Sequence, residues 1–134
     1  MEKTIFLFSI LLFYIAPAFT QIIHGNSKNG AMIEFNTNII DYDTITEGVK
    51  KNVCFQFTNT GDEPLIISSV ISSCGCTTPS FDAKPVMPGK TGKIIVKYNT
   101  SLIGAFRKTI VVKSNAVNQG TSILTIRGYV KKKE

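Results

Sequence analysis

Residues 51–58 read Lys51-Asn52-Val53-Cys54-Phe55-Gln56-Phe57-Thr58, and the chain continues Asn59-Thr60-Gly61-Asp62-Glu63-Pro64-Leu65. In an extended chain successive side chains point to opposite sides, so Val53, Phe55 and Phe57 share one face while Cys54, Gln56 and Thr58 share the other. The stretch that follows is a cluster of turn formers. A half-buried extended run closed by a tight turn is the repeating unit of an antiparallel sheet. Working outward, the same alternation recurs. Ile94, Val96 and Tyr98 oppose Lys93 and Lys97. Ile110 and Val112 oppose Arg107, Thr109 and Lys113. Leu124, Ile126 and Val130 oppose Thr125, Arg127 and Tyr129.

With these runs at 51–58, 93–98, 106–113 and 122–130, others at 31–36, 39–45 and 65–72 complete seven. Breaks stand at Glu47-Gly48, the 59–64 cluster, Pro79, Pro88-Gly89, Gly104 and 115–120. Pro88-Gly89 predicts a type II turn, with proline presetting φ and glycine accepting a positive φ. Seven short strands so spaced predict an all-β sandwich or barrel. Its core is the inward set above together with Phe35, Leu65 and Ile67.

Composition agrees. From residue 21 onward Val, Ile and Thr supply 36 residues, against three Leu, four Ala and four Glu. That balance excludes a helical bundle, a coiled coil and an α/β nucleotide-binding fold. The chain has 134 residues, room for one domain, and a net charge of +6. His24 is its single histidine and it has no tryptophan. No Ser/His/Asp order, histidine-rich metal motif or phosphate-binding glycine loop is present, and Asp41, Asp43, Glu47, Asp62 and Glu63 fall in or beside expected turns. The expectation is a protein that is not an enzyme and uses no cofactor.

Residues 1–20 combine Lys3, an apolar run over 5–16 and the small residues around Ala16-Pro17-Ala18. This is the pattern of a secretory signal peptide, with cleavage after Ala18 or Thr20, and the run is too short for a membrane span. The expected organisation is a leader over 1–20, a polar lead-in over 21–30 and a domain over 31–134. The mature protein is expected to be exported, periplasmic or extracellular.

An exported chain normally oxidises its thiols, and three cysteines allow one internal disulfide. Cys54, Cys74 and Cys76 are the candidates. In Cys74-Gly75-Cys76 both sulfurs face one side of an extended chain, and Gly75 lets the backbone draw them together. Three readings follow: a structural bond, Cys74–Cys76 or one of them with Cys54; a soft-metal site for Cu(I) or Zn²⁺ on Cys74 and Cys76; and thiol exchange at a Cys-x-Cys pair.

Phe57-Thr58-Asn59-Thr60-Gly61-Asp62, Pro64-Leu65, Cys74-Gly75-Cys76-Thr77, Pro88-Gly89, Gly104-Ala105-Phe106-Arg107-Lys108, Ser114-Asn115 and Ile126-Arg127-Gly128 occur in this order. The set resembles the bacterial domain of unknown function 1573 family, common in secreted proteins of the Bacteroidetes and similar to the immunoglobulin-like ASH and major-sperm-protein domains. The resemblance covers about residues 33 to 130. It implies an immunoglobulin-like antiparallel sandwich of about seven strands, and export, but no assigned activity. Where the family carries Asp-Phe-Gly this chain has Asp41-Tyr42-Asp43, placed by the reading in a loop.

Lys93, Lys97, Arg107, Lys113 and Arg127 beside Tyr129 form a basic outer face in this reading, suited either to solubility or to an acidic glycan. Export argues against nucleic acid as the partner. Asn99-Thr100-Ser101 fits an N-glycosylation acceptor, and Asp43-Thr44-Ile45 fits the acceptor of Bacteroidetes O-glycosylation at Thr44. The leading expectation is a domain that binds or scaffolds another envelope or extracellular protein through a free strand edge.

Overall fold

A computed structural model describes residues 29–134. The expected leader over 1–20 and the lead-in as far as residue 28 lie outside the described residues. Eight strands follow in order: β1 (Ile33–Phe35), β2 (Ile39–Thr46), β3 (Asn52–Asn59), β4 (Ile67–Ser72), β5 (Thr77–Phe81), β6 (Thr91–Tyr98), β7 (Gly104–Ser114) and β8 (Thr121–Lys131). They make two four-stranded sheets, β1-β3-β6-β5 and β2-β8-β7-β4, packed as a sandwich.

The inward residues read from the alternation are buried in the sandwich, although Thr125, read as outward on β8, is buried as well at 8% exposure. Val53, Phe55, Phe57, Ile94, Val96, Tyr98, Ile110, Val112, Leu124, Ile126 and Val130 are all buried, joined by Leu65 and Ile67. Gly92 lies opposite Phe57 on the neighbouring strand, and both face inward. A Cβ at Gly92 would come within 2.4 Å of the Phe57 ring, so the glycine is the space that the ring occupies. The Pro88-Gly89 turn forms as expected: Lys90 N–H donates to the Met87 carbonyl at 3.0 Å and Gly89 has φ 77°.

Three details depart from the expectation. The eighth strand, β5, passes through Pro79, which was read as a break. It sits at a sheet edge with β6 as its one partner, and Pro79 occupies a position facing away from β6, where no N–H is needed. The second concerns β2: the run expected at 39–45 forms as a strand, so Asp41-Tyr42-Asp43 lies within it and not in a loop. It pairs parallel to β8, with a register shift between Asp41 and Thr44. The chain therefore crosses from one sheet to the other between β1 and β2, and one pairing of the sandwich is parallel. The third is Tyr42, a core residue at 1% exposure. Its hydroxyl lies 3.2 Å from the Lys51 carbonyl and 3.4 Å from the Val96 carbonyl, which ties β2 to the opposite sheet. Burial pushes that hydroxyl up to about 12, so it remains a donor at any ordinary pH. Asp43 has φ 57°, a conformation that aspartate tolerates better than most residues.

One buried side-chain polar atom among the described residues is unsatisfied. Ser122 is 2% exposed and its Oγ has no hydrogen-bond partner. Ser122→Ala removes an orphaned hydroxyl, so it should leave stability unchanged or raise it by about 1 kcal/mol, an increase of about 4–8 °C in Tm. A thermal melt checks this, and a clear loss of Tm would show that the hydroxyl contributes after all.

Candidate functional site

A sandwich of two open sheets has four outermost strands, and each exposes unpaired backbone N–H and C=O groups to an incoming strand. Three of the four are protected here. β1 is three residues long, and the Asn118 side chain pairs with it as a strand would. Asn118 Nδ2 donates to the Ile33 carbonyl at 2.9 Å, and its Oδ1 accepts from Ile33 N–H at 3.0 Å. β2 is bent by its register shift and carries the carboxylates of Asp41 and Asp43 at that point. On β5, Asn99 N–H donates to the Cys76 carbonyl. Alternation along the strand then directs the backbone of Thr77, Pro79 and Phe81 away from β6, and proline offers no donor there.

β4 has a register shift of its own, between Ile67 and Ser69, but beyond it the strand pairs regularly from Ser69 to Ser72 and holds neither proline nor an acidic residue. Ser73 N–H donates to the Thr109 carbonyl of β7 at 2.9 Å, so by the same alternation the backbone groups of Val70 and Ser72 face away from β7. The side chain beside this edge is apolar and exposed. Ile71 is in register with Val111, and Val111 with Ile123, so the three form one row across β4, β7 and β8 on the outer face. Ile71 is 57% exposed and Ile123 56%. Lys113 lies in the adjacent row on one side; Arg107 and Arg127 lie two rows away on the other.

At the end of β4 the chain turns through Ser72-Ser73-Cys74-Gly75-Cys76-Thr77 into β5. Cys74 and Cys76 are disulfide-bonded, with Cα atoms 5.4 Å apart, while Cys54 is a free, exposed thiol on the outer face of β3. Of the pairings left open by the sequence, the structure contains the Cys74–Cys76 bond and leaves Cys54 out. A bond between residues two apart restricts the unfolded chain very little. The loop-closure relation gives about 1.5 kcal/mol for such a ring, against about 3 for a 15-residue loop. Thr77 Oγ1, itself buried, lies 3.9 Å from both sulfurs. Gly75 and Cys76 line a surface groove of about 480 Å³ with Lys50, Thr78, Lys97 and Ser101. Among the described residues no group of three or more His, Cys, Asp or Glu is placed to hold a metal ion, and His24 lies outside them.

The basic residues expected on one face are divided between two. Lys93 and Lys97 belong to β6 and project from the outer face of the first sheet. Arg107, Lys113 and Arg127 belong to β7 and β8 and project from the other. Alternation within a strand marks its outward residues but not the sheet it joins. Arg127 is moreover paired with Asp41, Nε to Oδ2 at 2.8 Å. That bond and the Asp43 N–H, which contributes more, hold the Asp41 carboxyl below its ordinary value. Thr44 is exposed on β2. Asn99 is exposed in the β6–β7 connection, where its Oδ1 accepts from Ser101 N–H and Oγ.

The family described as "Protein of unknown function (DUF1573)" matches residues 33–130. The chain belongs to this family. Several of the ordered motifs of this DUF1573 domain hold the fold together: Asn59, the Pro88-Gly89 turn and Asn115 each tie loops to strands. Asn115 does so with Oδ1 to Ile66 N–H and Nδ2 to the Pro64 carbonyl. No curated protein matches the sequence of the DUF1573 chain. Among solved structures, it is similar to a protein of unknown function from Porphyromonas gingivalis W83, with TM-score 0.69 and 14% identity over 77% of this chain and 48% of that one. It thus spans about half the length of that protein. It is also similar to the seventh ASH/PapD-like domain of human CEP192, with TM-score 0.65 and 12% identity over 78% of this chain and 89% of that one. The YadV chaperone gives TM-score 0.52 and 14% identity over 76% and 52%. At these identities the likeness is one of fold, and it is immunoglobulin-like of the PapD and ASH kind. Among the described residues no helix is long and apolar enough to cross a membrane.

Proposed function

We propose that this DUF1573 domain is an exported, non-catalytic binding module of the cell envelope. In this reading it recruits another envelope or extracellular protein by accepting an extended strand along the free edge of β4. The observation that carries it is the contrast among the four edges. β1 is plugged by Asn118, β2 is bent and acidic, β5 carries Pro79, and β4 offers an open backbone beside Ile71. Backbone pairing at such an edge supplies affinity, and alternate side chains supply selectivity. The partner strand should carry an aliphatic residue that extends the Ile71–Val111–Ile123 row and an acidic residue within reach of Lys113. The leader pattern of residues 1–20 supports export, and the chaperone-like and PapD-like neighbours support a protein partner.

The test is a photo-crosslinking residue introduced at Ile71 and, separately, at Ile95, which is exposed on the outer face of the opposite sheet. In the native cell envelope, position 71 should yield one discrete adduct and position 95 none. Adducts from 95 and none from 71 would overturn the proposed site.

A further inference from the structure

The loop between β4 and β5 carries the Cys74–Cys76 bond beside backbone contacts of its own. Its backbone is fixed by groups other than sulfur. Ser72 Oγ lies 2.8 Å from the Cys74 carbonyl and 2.7 Å from the Thr77 carbonyl. Thr77 N–H donates to the Cys74 carbonyl, and Asn99 N–H donates to the Cys76 carbonyl. None of these contacts involves a sulfur atom. The bond spans two residues at a partly exposed tip, with an exposed glycine between its halves. Thr77 Oγ1 stands equally close to both sulfurs and can donate a hydrogen bond to whichever becomes a thiolate. Lys50 and Lys97 line the same groove as Cys76 and add positive charge where a thiolate would form.

We infer that Cys74–Cys76 is a thiol–disulfide exchange site that oxidises the dithiol of another exported protein. A thiolate of that partner attacks one sulfur. The Cys74–Cys76 bond breaks, a mixed disulfide forms, and the other cysteine leaves with the bonding pair as a thiolate facing Thr77 Oγ1. The partner's second thiolate then attacks the mixed disulfide and releases the first cysteine. In sum the partner dithiol loses two electrons and two protons and becomes a disulfide, while Cys74 and Cys76 gain both as thiols. The same exchange with a low-molecular-weight disulfide restores the bond. This role goes beyond strand docking at β4 and does not require it.

The experiment uses the full mature chain carrying Cys54→Ser, a reduced synthetic peptide with two cysteines as probe, and glutathione disulfide as terminal oxidant. The peptide disulfide should form at least about tenfold faster than with the Cys74→Ser/Cys76→Ser double variant. The β-sheet circular dichroism of the fully reduced chain should match that of the oxidised chain. Thr77→Val should slow turnover and shift its pH dependence upward, and Thr77→Ser should restore both. Equal rates for the chain and its double variant, or loss of the fold on reduction, would overturn the inference. The comparison with the double variant decides the matter even if Thr77→Val fails to fold.

Discussion

Asn59→Ala is expected to destabilise the domain by about 3–5 kcal/mol, lowering Tm by at least about 15 °C. Asn59 ends β3 fully buried, and its amide uses all of its hydrogen-bonding capacity. Nδ2 donates to the Glu63 carbonyl at 2.7 Å and to the Val86 carbonyl at 2.9 Å. Oδ1 accepts from Gly61 N–H at 3.0 Å and from Met32 N–H at 3.3 Å. One side chain thus joins the approach to β1, the 59–64 turn and the segment before β6. Alanine removes the partner of Met32 N–H, Gly61 N–H and the Glu63 carbonyl, while the Val86 carbonyl keeps Leu65 N–H, and the penalty for orphaned groups exceeds the worth of the bonds themselves. Asn59→Asp sharpens the test. Its carboxylate would face two carbonyl oxygens, so the folded state favours the protonated acid and raises its pKa above the unfolded value of about 3.9. The sign follows from proton binding. Above the unfolded pKa the folded state holds a proton that the unfolded state has released, so stability falls as pH rises through that window. Chemical denaturation of this variant at several pH values should show that slope. A variant as stable as the parent, with no pH dependence, would show that the amide is not the clamp described.

Gly92→Ala carries the second large effect, a loss of about 3 kcal/mol. The added methyl would sit 2.4 Å from Cζ of Phe57, whose ring is packed in the core. The register of β3 with β6 holds the two residues opposite each other, so neither strand can slide to make room. Phe57→Leu opens space at the same point. The double variant Phe57→Leu/Gly92→Ala should therefore be more stable than the sum of the single losses predicts, by more than about 1 kcal/mol. Simple additivity in denaturant melts would contradict the contact.

The core was legible because its signal is local. Val53, Phe55 and Phe57, or Ile94, Val96 and Tyr98, declare their face by period alone, and the prolyl-glycyl turn at 88–89 declares its own geometry. Elements whose meaning depends on distant partners were not legible. Pro79 reads as a break unless β5 is known to lie at an edge. Tyr42 reads as a turn residue between two aspartates, because its carbonyl partners come from Lys51 and from Val96 across the sandwich. The five basic residues read as one face because alternation does not say which sheet a strand joins. The choice of β4 depended most on distance: β1 is excluded by an amide 85 residues away, Asn118. The Cys-Gly-Cys motif was visible as a motif, yet its pairing and the position of Thr77 between the sulfurs emerge from the fold around it.

If β4 receives the partner strand, backbone hydrogen exchange at Val70 and Ser72 reports it directly. Their N–H groups face away from β7, so in the free protein they should exchange rapidly. In the crosslink-identified complex, reassembled without crosslinker, both should become protected while the Thr77 and Phe81 amides at the β5 edge stay unchanged. Rapid exchange at Val70 and Ser72 in the bound state, with protection appearing instead on β5, β1 or β2, would contradict the account.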